Sequence, residues 1–136
     1  MRWLLALASA ACAVPSARAA DPVKPTAAQL EYFEAKVRPV LADHCYSCHG
    51  AKKQQGGLRL DTAAGIKAGA DDGPVIVPGD PGKSRLIASV KRENELAMPP
   101  NNPLPADAVA ALVAWVKDGA AVPADGAAAP TADPRK

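Results

Sequence analysis

Aromatic side chains are scarce in this sequence of 136 residues, where one Phe, two Trp and two Tyr together make up 4 %. A chain with so few large apolar groups has little with which to fill its own core, unless a bound apolar group contributes to it. Charge of neither sign dominates, because 16 Lys and Arg stand against 14 Asp and Glu. The sequence therefore lacks the basic footprint of a nucleic-acid-binding protein.

A long hydrophobic run is missing too, since the longest one near the N-terminus, residues 3–14, is too short to span a bilayer. Arg2 precedes this run, Pro15 ends it, and a small-x-small cleavage site follows at residues 17–19. We expect residues 1–19 to be a secretory signal peptide that directs the protein to the periplasm. Lipidation of Cys12 is an alternative, which Ser9 disfavours because lipoprotein signals usually carry a large aliphatic residue there.

Cleavage after residue 19 changes the charge and the cysteine content of the mature chain. It removes Arg2 and Arg18 but no acidic residue, so that Lys and Arg fall from 16 to 14 and the formal charge falls from +2 to 0. It also removes Cys12, which leaves Cys45 and Cys48 as the two cysteines of the mature protein. Any chemistry that needs cysteine must therefore use this pair.

The two remaining cysteines belong to the sequence Cys-Tyr-Ser-Cys-His, in which His49 directly follows Cys48. This spacing is typical of c-type haem attachment. In a helical turn, positions i, i+3 and i+4 lie on one face, so both thiols can bond the vinyl groups at one haem edge while the imidazole reaches the iron. We therefore predict that Cys45 and Cys48 hold one covalent haem c and that His49 is an axial iron ligand.

Other uses of a Cys-x-x-Cys pair remain as alternatives. The pair could form a redox-active disulfide, half of a tetrahedral zinc site or a structural bridge in a secreted protein. A thioredoxin-like protein would have a βαβ pattern around the motif, and a zinc site would need a fourth ligand. Neither feature is evident in the sequence.

The second axial ligand is predicted to be Met98. Low-spin haem iron usually takes a thioether or a second imidazole opposite the first histidine. Met1 leaves with the signal peptide, and His44 is too close to the attachment site to reach the far face. Met98 follows His49 by 49 residues and is stiffened by Pro99 and Pro100. The alternatives are that Met98 only fills the core, or that the distal position is open or holds water.

Helical spacing predicts the main elements of the fold. Thr26 should cap a first helix, which Pro39 should kink or break. Short helices should follow between Asp61 or Thr62 and Gly69, and within residues 83–90. The run at residues 75–77 is too isolated to establish a sheet. The apolar residues of the first helix are Leu30, Phe33, Val37 and Leu41.

A last helix should begin near Pro105 and end near Gly119. Its predicted buried stripe comprises Val109, Leu112, Val113 and Val116, with Trp115 beside them. We expect this helix to cross the first one near Phe33 and Val37. Trp115 is interpreted as a core residue, with an indole facing a haem propionate as the alternative. We expect one domain over residues 20–121 and a disordered tail rich in Ala and Pro over residues 122–136.

Four basic residues are candidates for contacting the haem propionates through charge-assisted hydrogen bonds. Arg59 is preferred, because Leu58 and Leu60 on either side should hold its backbone near the core. For each candidate, the alternative is an ordinary solvated charge. The four candidates are Arg59, Arg85, Lys91 and Arg92.

Ordered motifs along the chain resemble the planctomycete-type cytochrome c domain, within the class I cytochrome c group. The resemblance extends from about Leu30 to Ala120. It is carried by VRPVL at 37–41, HCYSCHG at 44–50, GLRLD at 57–61, VPGD at 77–80, SRLI at 84–87, MPP at 98–100 and WVKDGA at 115–120. The resemblance implies an all-α class I cytochrome c fold. In this fold the N- and C-terminal helices cross, and the covalently bound haem lies in the core between His49 and Met98.

These features predict a monohaem one-electron carrier, not an enzyme, because no substrate-converting site is identified. It would exchange electrons with a dehydrogenase, an oxidase or another cytochrome. Lys52 and Lys53 would help to steer an acidic partner, with the alternative that they only keep their loop soluble. We expect a monomer or a subunit docked on a separately encoded dehydrogenase. The alternative class is a haem-based sensor in which a small ligand displaces Met98.

Overall fold

The computed structural model of the protein describes residues 24–125. The predicted signal peptide, Cys12 and residues 126–136 of the predicted tail lie outside this part of the chain. Residues 24–125 contain five α-helices and no β-strand, which confirms the all-α prediction. The helices are α1 (Ala27–Tyr32), α2 (Arg38–His44), α3 (Ala63–Ala68), α4 (Arg85–Val90) and α5 (Ala106–Lys117).

The first helix begins at the predicted cap. The Gln29 N–H donates to the Thr26 hydroxyl at 3.2 Å, and the Gln29 side-chain oxygen accepts from the Thr26 N–H at 2.9 Å. This reciprocal pair satisfies two amide groups that the first helical turn would otherwise leave free. The Thr26 signal in the sequence therefore located the N-terminus correctly.

Pro39 changes the helix type without ending the helix. A π-helical segment, Phe33–Val37, joins α1 to α2, and Pro39 takes the second position of α2. A proline ring clashes with the carbonyl group four residues earlier in a regular α-helix, whereas a π turn is wider. The chain therefore stays helical up to His44, immediately before the cysteine pair.

Helix α5 packs across the π segment and forms the centre of the core. The rings of Phe33 and Trp115 lie 5.7 Å apart between centroids, at an interplanar angle of 51°. Phe33 is 1 % exposed and Trp115 is 2 % exposed, while Val37 and Leu112 are completely buried. The contact predicted near Phe33 and Val37 is thus present.

The buried face of α5 is rotated relative to the predicted stripe. Val109 and Val113 are only partly buried, because Trp115 occupies the core position next to Phe33. The indole N–H donates to the Ala121 carbonyl at 2.8 Å, so its hydrogen-bonding capacity is used within the fold. The residues of α5 that are fully buried are Ala108, Leu112, Trp115 and Val116.

The two short helices also lie where the sequence predicts them. Thr62 caps α3 by accepting from the Gly65 N–H at 3.0 Å, and Gly69 follows its last residue. Ser84, which is 1 % exposed, precedes α4 and accepts from the Val77 N–H at 2.9 Å. This buried serine connects α4 to the apolar run at residues 75–77.

The ordered chain continues beyond the domain end predicted at residue 121. Val122 packs against the core. The Asp125 carboxylate accepts from the Ala63 N–H at 2.6 Å and from the Ala64 N–H at 3.0 Å, at the start of α3. Residues 122–125 therefore differ from the disordered tail expected there, because Asp125 supplies a cap that no local pattern reveals.

Candidate haem-binding site

The cysteine pair and His49 form one tight turn directly after α2. The His49 N–H donates to the Cys45 carbonyl at 2.9 Å, as in a helical turn, and the Cys48 N–H donates to the same oxygen at 3.2 Å. Gly50 lies so close behind this turn that a Cβ atom there would be 2.4 Å from the Tyr46 carbonyl oxygen. The backbone of this turn thus brings Cys45, Cys48 and His49 close together.

The segment of residues 54–60 holds this turn from the other side. The Leu60 N–H donates to the His49 carbonyl at 2.8 Å, and the Gln55 N–H donates to the Cys48 carbonyl at 2.9 Å. The Nδ1 atom of His49 lies 3.3 Å from the Leu58 carbonyl oxygen. A proton on Nδ1 satisfies that carbonyl and leaves the lone pair of Nε2 free to bind a metal.

An apolar cavity of about 570 Å³ opens beside the turn. Cys45 and His49 contribute to its wall, and Met98 lines the same cavity. Its volume falls within the range of about 300–1,000 Å³ that is common for cofactor sites. The hydrophobic residues that line it are Leu58, Leu60, Val75, Leu86, Val90 and Leu96.

A second cavity of about 230 Å³ adjoins the first. Both are lined by Cys45, His49 and Met98, and Cys48 adds its side chain to the smaller one. The smaller cavity is also bordered by residues 99–102, of which Pro100, Asn101 and Asn102 are exposed. The two cysteines therefore border a space that extends from the interior towards the surface.

Met98 is partly buried and lies in a loop after α4. Its N–H donates to the Ser89 carbonyl at 2.9 Å. The Asn94 side chain donates to the Ser89 hydroxyl at 3.1 Å and accepts from the Leu96 N–H at 3.0 Å. The structure thus brings Met98 and His49 to one cavity, although 49 residues separate them in the chain.

The predicted propionate contact, Arg59, lies elsewhere. Its guanidinium pairs with Asp61 at 2.6 and 3.0 Å, and Arg59 is not among the residues that line the 570 Å³ cavity. Arg85 does line that cavity and pairs with Asp72 at 2.9 and 3.0 Å. No sequence pattern indicates that Arg85, and not Arg59, lines the cavity. Asp72, the partner of Arg85, is 13 residues away and outside any helix.

Like Arg59, the remaining basic candidates, Lys91 and Arg92, do not line the 570 Å³ cavity. Lys91 is exposed at the end of α4. Arg92 donates to the carbonyl groups of Pro99 and Pro100, directly after Met98. Residues 91–102, which follow α4 and contain Met98, form the methionine loop. Arg92 therefore has a role within this loop that the sequence did not suggest.

Tyr46, which lies between the two cysteines, was not singled out from the sequence. Its hydroxyl oxygen is buried and has no hydrogen-bond partner in the structure. Burial raises the pKa of the Tyr46 phenol, and the nearby Arg38 guanidinium partly offsets this effect. The phenol is therefore neutral at physiological pH.

The surroundings of Cys45 do not favour thiol chemistry. Burial, together with the neighbouring Cys48, raises the pKa of the Cys45 thiol to about 11. A reactive or catalytic cysteine needs the opposite shift, since the thiolate is the nucleophile. Within residues 24–125, moreover, no three His, Cys, Asp or Glu side chains are grouped so that they could hold a metal ion such as zinc.

Two thiols and an oriented imidazole beside an apolar cavity are the donors that covalent attachment and ligation of a haem require, so the residues present fit this group. A helical domain with such a site is similar to proteins of the cytochrome c class. Residues 45–102 match the family model described as Planctomycete cytochrome C. The match over this segment confirms the resemblance to the planctomycete-type cytochrome c domain that the sequence shows.

The family match indicates a haem-binding electron-transfer domain with covalent haem c and redox partner proteins. The matched segment begins at the first cysteine of the motif and extends past Met98. No curated protein and no solved structure gave a significant match to the chain. In the part of the chain that the structure describes, no helix is long and apolar enough to cross a membrane.

Proposed function

We propose that this protein is an exported, periplasmic electron carrier with a single covalent haem c, ligated by His49 and Met98. One observation carries the proposal: the turn with Cys45, Cys48 and His49 borders the same apolar cavities as Met98. The family match supports the cofactor and the class of activity. The number of haems, the two ligands and the location are part of the proposal.

Each residue of the site has a distinct role in this proposal. Cys45 and Cys48 would form thioether bonds, and His49, oriented through Leu58, would bind the iron through Nε2. Met98 would supply a thioether ligand, which raises the potential above that of two imidazoles. The bound haem would supply a one-electron ferric/ferrous couple.

The same proposal completes the fold. With haem in the cavity, the crossing of α5 with the first helix would correspond to the class I cytochrome c arrangement.

For the propionates, Arg85 is better placed than Arg59, because it lines the cavity. Replacing each arginine by Gln should therefore lower the midpoint potential more in Arg85→Gln than in Arg59→Gln, since Arg85 lines the cavity and Arg59 does not.

Partners would approach where the smaller cavity meets the surface. Residues 99–102 border this opening, and Lys52 and Lys53 are exposed in the loop that follows His49. A small interface with a partner whose binding surface is acidic suits brief encounters between redox proteins. The partner would be a dehydrogenase, an oxidase or another cytochrome. This carrier would act as a monomer or as a docked subunit.

Covalent haem is tested by a pyridine haemochrome spectrum. The full chain should be exported from cells that possess a c-type haem assembly system, and free haem should be removed by acid-acetone extraction. We expect one haem per chain to remain attached in the wild type and none in Cys45→Ala/Cys48→Ala. Complete removal of haem from the wild-type protein by extraction would overturn the proposal.

Methionine ligation is tested separately with Met98→Ala. The charge-transfer band of methionine-ligated ferric haem should be present in the wild type and lost in the variant, with a lower midpoint potential. Leu96→Ala is the matched control, because Leu96 lines the same cavity but is 52 % exposed. An unchanged band in Met98→Ala would exclude this ligand. Rapid carbon monoxide binding by the reduced native wild type would favour the sensor alternative.

A further inference from the structure

Arg92 makes a bidentate contact with the backbone directly after Met98. One terminal nitrogen of its guanidinium donates to the Pro99 carbonyl at 2.8 Å, and the other donates to the Pro100 carbonyl at 3.1 Å. Arg92 itself follows the end of α4, and its N–H donates to the Ser89 carbonyl at 3.1 Å. The arginine thus connects the end of this helix to the loop that presents Met98.

The chemistry of the loop explains why a side chain is needed for this connection. Pro99 and Pro100 have no N–H group, so their carbonyl oxygens are the backbone polar groups with which they can be held. A guanidinium offers several donors in a fixed plane, and its charge strengthens each bond. The fork of Arg92 therefore fits two successive carbonyl groups better than a single ammonium would.

Met98 is held from two sides by the same end of α4. Its own N–H donates to the Ser89 carbonyl at 2.9 Å, while Arg92 fixes the next two residues. Arg92 adopts a φ of 62°, a left-handed conformation that is uncommon for a residue with a side chain. Such a conformation persists where surrounding contacts compensate for its cost.

We propose that Arg92 is a positioning residue that holds the Met98 loop against the cavity and so resists displacement of Met98 by external ligands. This inference rests on the proposed ligation of iron by Met98. Arg92 acts through the carbonyl groups of Pro99 and Pro100 and not through a haem propionate. It gives an exposed arginine a specific effect on the properties of the site.

Three variants separate the fork from the charge. Arg92→Gln removes the guanidinium, Arg92→Lys keeps the charge without the fork, and Lys91→Gln removes one charge from the adjacent exposed residue. The probe is imidazole, added to the ferric holoprotein while the methionine charge-transfer band is monitored. Hydrogen exchange at the Met98 amide is measured in parallel.

We expect Arg92→Gln to raise the apparent affinity for imidazole about three- to tenfold, the effect of losing charged hydrogen bonds at an exposed site. Arg92→Lys should lie between Arg92→Gln and the wild type, and Lys91→Gln should stay within about twofold of the wild type. An unchanged affinity in Arg92→Gln would refute the proposal. Equal shifts in Arg92→Gln and Lys91→Gln would also refute it, since charge alone would explain them.

Hydrogen exchange distinguishes a failure of this inference from a failure of the proposed ligation. Absence of the methionine band in the wild type would refute the ligation by Met98, and exchange at the Met98 amide would then decide the role of Arg92. Faster exchange in Arg92→Gln than in Lys91→Gln would support the positioning role. Equal exchange in the two variants would refute it. A third substitution at this position, Arg92→Asn, tolerates the left-handed conformation, so exchange as fast as in Arg92→Gln would show that the backbone is not the cause.

Discussion

The two regions of the cavity that would supply the proposed iron ligands are built in different ways. Cys45, Cys48 and His49 are arranged by hydrogen bonds among neighbouring backbone groups and by the segment at residues 54–60. Met98 instead lies in a loop whose residues are largely exposed, and side chains such as Arg92 and Asn94 hold it. One ligand region is thus encoded locally, whereas the other depends on contacts between side chains and the backbone.

This difference predicts a difference in stability. The helix that leads into the cysteine turn contributes Phe33, Val37 and Leu41 to the core, each at most 1 % exposed. Loosening that side requires much of the core to open. The methionine loop has few buried apolar contacts, which is typical of segments that open locally at low free-energy cost.

The largest effect on stability should follow from removing a core side chain that supports the helix leading into the turn with Cys45, Cys48 and His49. Trp115→Ala would empty the position beside Phe33 and should lower the free energy of unfolding by about 3–5 kcal/mol. Denaturant unfolding of the haem-loaded protein measures this value. Trp115→Phe is the control, because it keeps a ring there and loses mainly the bond to Ala121. Similar stability of Trp115→Ala and the wild type would show that this side does not depend on α5.

A smaller effect should come from the turn itself. Gly50→Ala places a Cβ atom 2.4 Å from the Tyr46 carbonyl oxygen, so the backbone must shift. We expect a loss of about 1–3 kcal/mol, as for overpacked sites, and a lower yield of attached haem. At Gly82 the added atom would meet only the Asp80 carboxylate, at 3.4 Å. If Gly82→Ala proves as harmful as Gly50→Ala, close packing behind the turn is not the reason.

The methionine loop should respond locally. Asn94→Ala removes the side-chain bonds to Ser89 and Leu96, with a local cost of about 1 kcal/mol. The amides of Leu96 and Met98 should therefore exchange faster, while the midpoint of global unfolding changes little. Glu95→Ala, at an exposed neighbouring position, should leave that exchange unchanged. An equal loss of global stability would contradict the distinction between the two regions.

The same contrast explains what the sequence could predict. Thr26, Thr62 and Gly69 mark helix ends through their own backbone chemistry, and the structure has those ends where they were expected. The grouping of Cys45, Cys48 and His49 in one turn likewise follows from their spacing. The predicted meeting of Met98 with His49 at one cavity depended on elimination among very few candidate ligands, a consequence of the composition.

Features that depend on distant partners could not be read from the sequence. The preference for Arg59 rested on its apolar neighbours, but the partners of Arg59 and Arg85 are set by the positions of Asp61 and Asp72 in space. The rotation of α5 towards Trp115 reflects the shape of the opposing Phe33 surface. Asp125 caps α3 across 62 residues of sequence, which no local pattern records.

The smallest effect concerns the ion pairs of Arg59 and Arg85 and their response to acid. Hydrogen bonds from Arg59 lower the pKa of Asp61, and those from Arg85 lower the pKa of Asp72. A carboxylate whose pKa is lower in the folded state stabilises the fold above its unfolded pKa, near 3.8. That contribution is lost as the pH falls through the lower pKa of the folded state.

Exposure predicts which pair matters more. The Asp61 side chain is 18 % exposed and follows the residues that support His49, whereas the Asp72 side chain is 68 % exposed at the cavity rim. Asp61→Asn should cost at most about 1 kcal/mol near neutral pH. It should also lose less stability than the wild type as the pH falls from about 3.8 towards the lower pKa of folded Asp61. Asp72→Asn should behave like the wild type in denaturant unfolding over this range, because water screens its pair with Arg85. A larger effect of Asp72→Asn than of Asp61→Asn would show that the ion pair at the cavity rim governs stability in acid, and not the ion pair next to the residues that support His49.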